Sequence, residues 1–574
     1  MHLKIKTWLP PVLLLLVSCS KAPEKYSRSN SRSATEAGKD SYKNIPKGID
    51  TDGDGVIDQA SPVTALAFLT AFPRITHIQW ENSVKDILLL SKVPGLAASF
   101  TTDPSGSFFK SDGNLLKTTP SLWADYQNAA ETVAKKVAAD AAQVAKLVPA
   151  AAPASGDARA LAIVGAIAKR AFRRPVSEAQ MTRLIALYNK GPALTGTADP
   201  TAGGLQVVIT AILQSPNFLY RTELGADKSA LVKLNGWEIA SRLSFATWNT
   251  IPDEALLKAA ESGELLTPEG LKKQVQRLVD DPRANPTLMD FYQRLFETAS
   301  YAFVKKDAKA LGYWPDNMGK ALLTEADLFI KDVVIDQRGG INQILTAPYA
   351  FVNSKTAPIY GVTASMGETF EKVELNPSQR SGLLTQVGFL ATRAKEKESD
   401  PIHRGVVVAT NILCAELKAP PGTFPPLPAE LPGQTTRMRV EAHTGKGTCG
   451  SSCHGSVINP AGYAFENFDA AGKWRTIDNT LPVNASAEFR FPASSISYAG
   501  PVEFIKKIAE RDELHRCYIQ KAVELMYARQ VDPQDESLIA VLSKKSAADL
   551  STRDLFIQLL TDSRISYRGN AKGN

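Results

Sequence analysis

The chain has few of the residues on which hydrolytic chemistry is usually built. Its 574 residues hold six histidines and five cysteines. No G-x-S-x-G, H-E-x-x-H or P-loop pattern occurs, which removes the usual signatures of serine hydrolases, zinc proteases and phosphate-cradling NTPases. Cysteine is too sparse for a disulfide scaffold. Strand-like alternation is scarce, with Ala485 to Phe491 the best stretch, and no repeat period appears, which argues against a solenoid or propeller. The net charge of +7 is mild for this length. Part of it sits in Lys21, Lys25, Arg28, Arg32, Lys39, Lys43 and Lys47, and no basic stripe interleaved with aromatics follows, so nucleic acid is not an expected partner.

The N-terminal apolar run, Trp8 to Val17, is shorter than the roughly 20 residues that span a bilayer, and it follows the basic start His2, Lys4 and Lys6. Leu16-Val17-Ser18-Cys19 has the form of a lipobox. The expectation is a signal peptide at 1–18 and a lipidated Cys19, with Ser20 giving no inner-membrane retention signal. The protein is then an outer-membrane lipoprotein facing the periplasm or the exterior, with the bilayer as a partner through its lipid anchor. A cleaved signal with a chance cysteine is the plainer reading. Residues 19–48, rich in Ser, Lys and Arg, are expected to be a disordered tether.

At 49–61 the alternating carboxylates Asp50, Asp52, Asp54 and Asp58, with Gly55 for a sharp turn, have the pattern of a calcium loop. Ser61 stands where an EF-hand places its bidentate Glu, so the segment is closer to thrombospondin or dockerin loops. A solvated acidic turn is the alternative.

From Pro62 onward apolar residues recur at three and four, which predicts a mainly α, multidomain protein. Helices are expected at Asn82–Leu90, Leu122–Val148, Ala158–Arg173, Glu178–Tyr188, Leu205–Leu213, Trp237–Ala246, Leu271–Asp280, Thr287–Phe296, Lys320–Ile335, Gly405–Leu413, Val502–Ala509, Arg516–Tyr527 and Arg553–Leu560. Helical modules are placed at 62–149, 156–226, 230–360, 378–477 and 485–565.

The segment Cys449-Gly450-Ser451-Ser452-Cys453-His454 reads as a covalent haem c attachment site with one residue more than the usual two between its cysteines. At about 100° per residue, separations of three and four both return a side chain to nearly the same helix face. Cys449 and Cys453 would carry the thioether bonds and His454 would be the axial ligand. His443, Met438 or Met526 would be the distal ligand, or the position stays open for small-molecule chemistry. Two other readings stand beside it: zinc held by His443, Cys449, Cys453 and His454, and a plain Cys449–Cys453 disulfide without cofactor. With Cys449 and Cys453 so used, Cys414 and Cys517 remain as an even pair and are expected to form a disulfide; two buried free thiols are the alternative.

Several stretches resemble the multidomain proteins of planctomycetes and myxobacteria that carry a cytochrome c-like domain. Arg74-Ile75-Thr76 with Trp80 and Val84-Lys85-Asp86-Ile87-Leu88 is similar to their opening module. Arg170-Ala171-Phe172-Arg173-Arg174-Pro175 and Leu213-Gln214-Ser215-Pro216-Asn217-Phe218 are similar to the second. Trp237-Glu238-Ile239-Ala240-Ser241-Arg242-Leu243 with Asp281-Pro282-Arg283-Ala284 is similar to the third. Arg380-Ser381-Gly382-Leu383-Leu384-Thr385, His403-Arg404-Gly405 and Asn459-Pro460-Ala461-Gly462 through Asp469 resemble the cytochrome c-like module, with Asn459 where the family usually has Asp. Cys517 to Arg529 resembles the closing module. The resemblance implies a C-terminal cytochrome c-like helical domain.

The function expected is electron transfer to a redox partner protein, or an oxidative step at the cell surface. The alternative is a cofactor-free surface lipoprotein for adhesion or polysaccharide handling, with a degenerate haem motif. Without haem, nothing in the sequence marks an enzyme.

Overall fold

Helices start where short polar side chains can take the orphan N–H groups of a first turn. Thr76, Ser177 and Asn235 each form a reciprocal capping box, with Gln79, Gln180 and Glu238 respectively. The computed structural model describes residues 48–49, 51, 57–64, 66, 72–103, 109, 112–113, 115–225, 231–363, 367–417, 427–429, 431–445, 447–448, 450–451 and 454–569. The leader 1–18, Cys19 and most of the tether lie outside these residues, as do Asp50, Asp52, Asp54, Cys449 and Cys453.

The described chain is mainly helical, and its strands are short. The stretch Leu122–Val148, which reads as one helix, is two: Pro120–Ala138 and Ala141–Leu147. Asp140 makes the break, because its carboxylate accepts from the N–H groups of Ala142 and Gln143 at 3.0 and 3.1 Å. The local cap competes with helix continuation and wins. Elsewhere Met318–Lys331 continues as a π turn at Asp332–Asp336, and Pro401–Val407 as another at Val408–Ile412.

Strands serve as clips. Ala487–Arg490 pairs antiparallel with Ser495–Tyr498, with Phe489 opposite Ile496. Leu231–Lys233 pairs with Tyr567–Gly569, which fastens the C-terminal end to the start of the third helical stretch.

Apolar burial falls into two large cores. In one, Trp80, Phe100 and Tyr126 pack with Ile167, Val208 and Phe218. Trp80 lies 5.2 Å edge-on from Phe100 and 6.4 Å from the Tyr126 ring. In the other, Leu243, Phe291, Phe329, Phe389, Phe465, Phe504 and Leu559 share a single interior. Most apolar residues from 62–149 and 156–226 are therefore buried together, joined by Phe245 and Ile251, and most of those from 230 to 565 share the other interior with Phe109.

Candidate functional site

The site rests on a close crossing of two helices. Asp400 caps Pro401–Val407, accepting from the His403 N–H at 3.1 Å. A Cβ on Gly462 would lie 1.8 Å from the Pro401 carbonyl oxygen, and one on Gly405 would lie 2.0 Å from that of Ile458. Only hydrogen at both positions lets the backbones approach this far. Between the two glycine contacts sits Arg404, fully buried. Its guanidinium donates to the carbonyls of Phe465, Phe468, Leu390 and Asp469 at 2.8–3.1 Å. The side chain thus ties the loop after the second helix to the first. Burial pulls its pKa down to about 10, still well above neutrality, so the cation persists.

His454 opens a π turn, His454–Ile458, which runs into the α-helix Asn459–Tyr463. In an α-helix, residues five apart lie about 140° apart around the axis. A π turn closes from i to i+5 and returns them to one face. Nδ1 of His454 accordingly lies 3.1 Å from Oδ1 of Asn459.

The direction of this bond is fixed from its far end. Thr444, in the last turn of the helix Thr436–Thr444, donates its hydroxyl proton to the Val440 carbonyl at 2.9 Å. Its oxygen then accepts from Nδ2 of Asn459 at 2.9 Å. The amide is thereby oriented with its carbonyl oxygen toward the imidazole, an acceptor that requires a proton on Nδ1. The lone pair is left on Nε2. An imidazole held through Nδ1–H, with Nε2 bare, is the form in which histidine ligates a metal. His454 therefore fits an axial position on haem iron.

Of the proposed distal ligands, His443 lies one residue before Thr444 and is half-buried, and Met438 is exposed on the first turn of the same helix. Met526 is buried in the large core on the helix Asp512–Tyr527. That helix also holds Cys517, which forms a disulfide with Cys414. Among the described residues, no group of three or more His, Cys, Asp or Glu side chains is arranged to hold a metal ion. At the acidic loop, Asp58 accepts from the backbone N–H and hydroxyl of Thr51 at 2.9 and 2.7 Å.

Phe468 and Trp474 pack edge to face at 5.3 Å, and the Arg380 guanidinium stands 4.5 Å from the Phe468 ring. Glu466 is buried, with Ser399 and Arg475 at 3.3 and 3.4 Å, and burial raises its pKa. Thr444 is a partner of the site that sequence reasoning missed, because its part depends on a helix, Thr436–Thr444, that the apolar spacing does not announce.

Four segments match known family models. Residues 74–139 match PSD3 (DUF1587), 159–223 match PSD5 (DUF1595), 234–362 match PSD4 (DUF1592) and 380–478 match PSCyt3 (DUF1588), each described as a protein of unknown function. Comparison with curated proteins and with solved structures gives no match. The chain belongs to the planctomycete-type multidomain proteins of unknown function that carry a cytochrome c-like module, its four matched segments together covering more than half of its length.

Proposed function

We propose that the protein is a lipid-anchored c-type haem protein outside the cytoplasm, transferring electrons or supporting an oxidative step at the cell surface. The observation that carries this reading is the hydrogen-bond relay from Val440 through Thr444 and Asn459 to His454, which holds the ring through Nδ1 and leaves the lone pair on Nε2 of the residue that follows Cys453 in sequence. Cys449 and Cys453 would hold the porphyrin and His454 its iron; bound haem would supply one-electron redox chemistry.

The protein's own residues do the positioning. Asn459 and Thr444 keep the proton on Nδ1 and the ring in one orientation. Arg404 and the glycine crossing keep the π turn seated against Pro401–Val407. The Tyr498 hydroxyl donates to the Pro460 carbonyl and anchors the helix that follows the π turn. His443, half-buried and nearest in sequence to the relay, would be the second ligand in preference to the core-buried Met526.

The test is the reduced-minus-oxidised absorbance spectrum of full-length protein matured in a host that attaches haem c. The expected result is a c-type difference spectrum that is lost in the Cys449→Ser/Cys453→Ser variant. A colourless, iron-free product would favour the cofactor-free lipoprotein instead.

A further inference from the structure

Well away in sequence from the cysteine motif, a cavity of about 420 Å³ opens where the helix His77–Ile87, the segment around Trp248 and Asn249, the helix Asn285–Leu295 and Leu525 of the helix Asp512–Tyr527 come together. Its volume is that of a small-molecule site, and a junction between modules is where such sites form.

The charges in its wall are already matched. Asp103 is paired with the buried Arg74 and lies 3.4 Å from Nε2 of His77. Asp290 is paired with Arg294 at 2.6 Å. A charged ligand would have to displace one of these partners, so the cavity suits a neutral one.

The amides in the wall are locked. Gln79 donates to Oδ1 of Asn249 at 3.0 Å, Asn82 donates to the Asn249 carbonyl at 3.2 Å, and Asn249 donates to Thr287 at 3.0 Å. Asn249 can close this ring because it takes a left-handed conformation, φ +53°, at the end of its helix. Gln293 is fixed in the same way by Asp327, at 2.7 Å. The side-chain carbonyls of Asn82 and Gln293, both in the cavity wall, have no hydrogen-bond partner among the described residues, and one N–H of each amide is already engaged.

Apolar surface completes the lining. Ile78 is 59% exposed at the rim, and Trp248 is held by its Nε1 donation to the Leu278 carbonyl and by the Arg283 guanidinium 3.4 Å from its ring centre. Oriented acceptors, neutralised charge and apolar walls together match a molecule with hydroxyls around a ring and C–H faces between them.

We propose that this cleft binds a neutral saccharide, with room for roughly one or two sugar rings. No residue of 449–454 lines the cavity, and binding here does not depend on haem.

The probes are glucose and cellobiose, followed by saturation-transfer NMR and tryptophan fluorescence on the full-length protein. The expected result is saturable binding that Asn82→Leu and Gln293→Leu each weaken about tenfold, the scale of one lost hydrogen bond. Ile78→Trp, a change at an exposed rim position, should abolish binding while the thermal melt stays within a few degrees of the parent. Glucuronate should bind more weakly than glucose. Absence of saturable binding by both sugars to folded protein would overturn the proposal. So would binding that Ile78→Trp leaves intact, or tighter binding of glucuronate.

Discussion

At Asn459 a single amide decides which nitrogen of His454 can meet a metal. Asn459→Leu removes the acceptor for Nδ1–H and leaves a buried threonine oxygen without its donor. The expected result is a weakened or shifted haem spectrum with the fold retained by circular dichroism. Asn459→Asp keeps an acceptor and makes the imidazole more basic, so the midpoint potential should fall in a redox titration. The histidine was legible in sequence because it follows a cysteine. Its tautomer was not, since that depends on a partner five residues on and another ten residues before it, brought together by a π turn.

Glu325 is the second residue-scale case. It is buried, its carboxyl accepts from the Tyr360 hydroxyl, and burial raises its pKa to about 8. The native state therefore holds a proton that the unfolded chain releases near pH 4.5, and stability falls as pH rises from there to about 8. Glu325→Gln should flatten that slope in denaturant midpoints measured across this window. An unchanged slope would mean that another group carries it.

Among the elements, the crossing of Pro401–Val407 over the helix Asn459–Tyr463 has the least tolerance. Gly462→Ala places a methyl carbon 1.8 Å from the Pro401 oxygen, so the helices must part. A loss of about 1–3 kcal/mol is expected in chemical denaturation, with weakened haem incorporation as a separate readout. Gly263 has no neighbour within 4 Å of an added Cβ and serves as the packing control, its own cost arising from its left-handed φ of +78°.

Most helices were legible at this scale because apolar spacing and caps agree, as at Ala158–Arg173, observed at Gly156–Phe172. The expected Leu122–Val148 helix is divided because one side-chain cap outweighs the apolar pattern. The helix Thr436–Thr444 escaped because it carries little apolar face: Arg437, Glu441 and His443 stand among its nine residues. The π turns also have no spacing signature of their own. That at His454–Ile458 is the one on which the site depends.

For the molecule as a whole, the matched family segments and the buried cores do not coincide one to one. Segments 74–139 and 159–223 feed mainly one interior, which Phe245 and Ile251 also enter, and 234–362 and 380–478 share a second with the C-terminal helices and Phe109. The cytochrome c-like module therefore packs as part of a larger body. The Cys414–Cys517 disulfide spans 103 residues and ties the helix Asp512–Tyr527 to the end of the π turn Val408–Ile412. Replacing both cysteines by serine should lower stability by about 2–5 kcal/mol, read from the denaturation midpoint. Module order was legible in sequence; the sharing of cores was not, because it depends on which apolar faces meet across hundreds of residues.

The proposed function stands on His454, with Cys449 and Cys453, holding haem c. The most direct measurement is the pyridine haemochrome spectrum and iron content of full-length protein from a host competent in cytochrome maturation. About one haem per chain is expected, resistant to acid-acetone extraction and lost in the Cys449→Ser/Cys453→Ser variant. Protein that is folded yet free of iron, or haem that extracts freely into acid acetone, would contradict it.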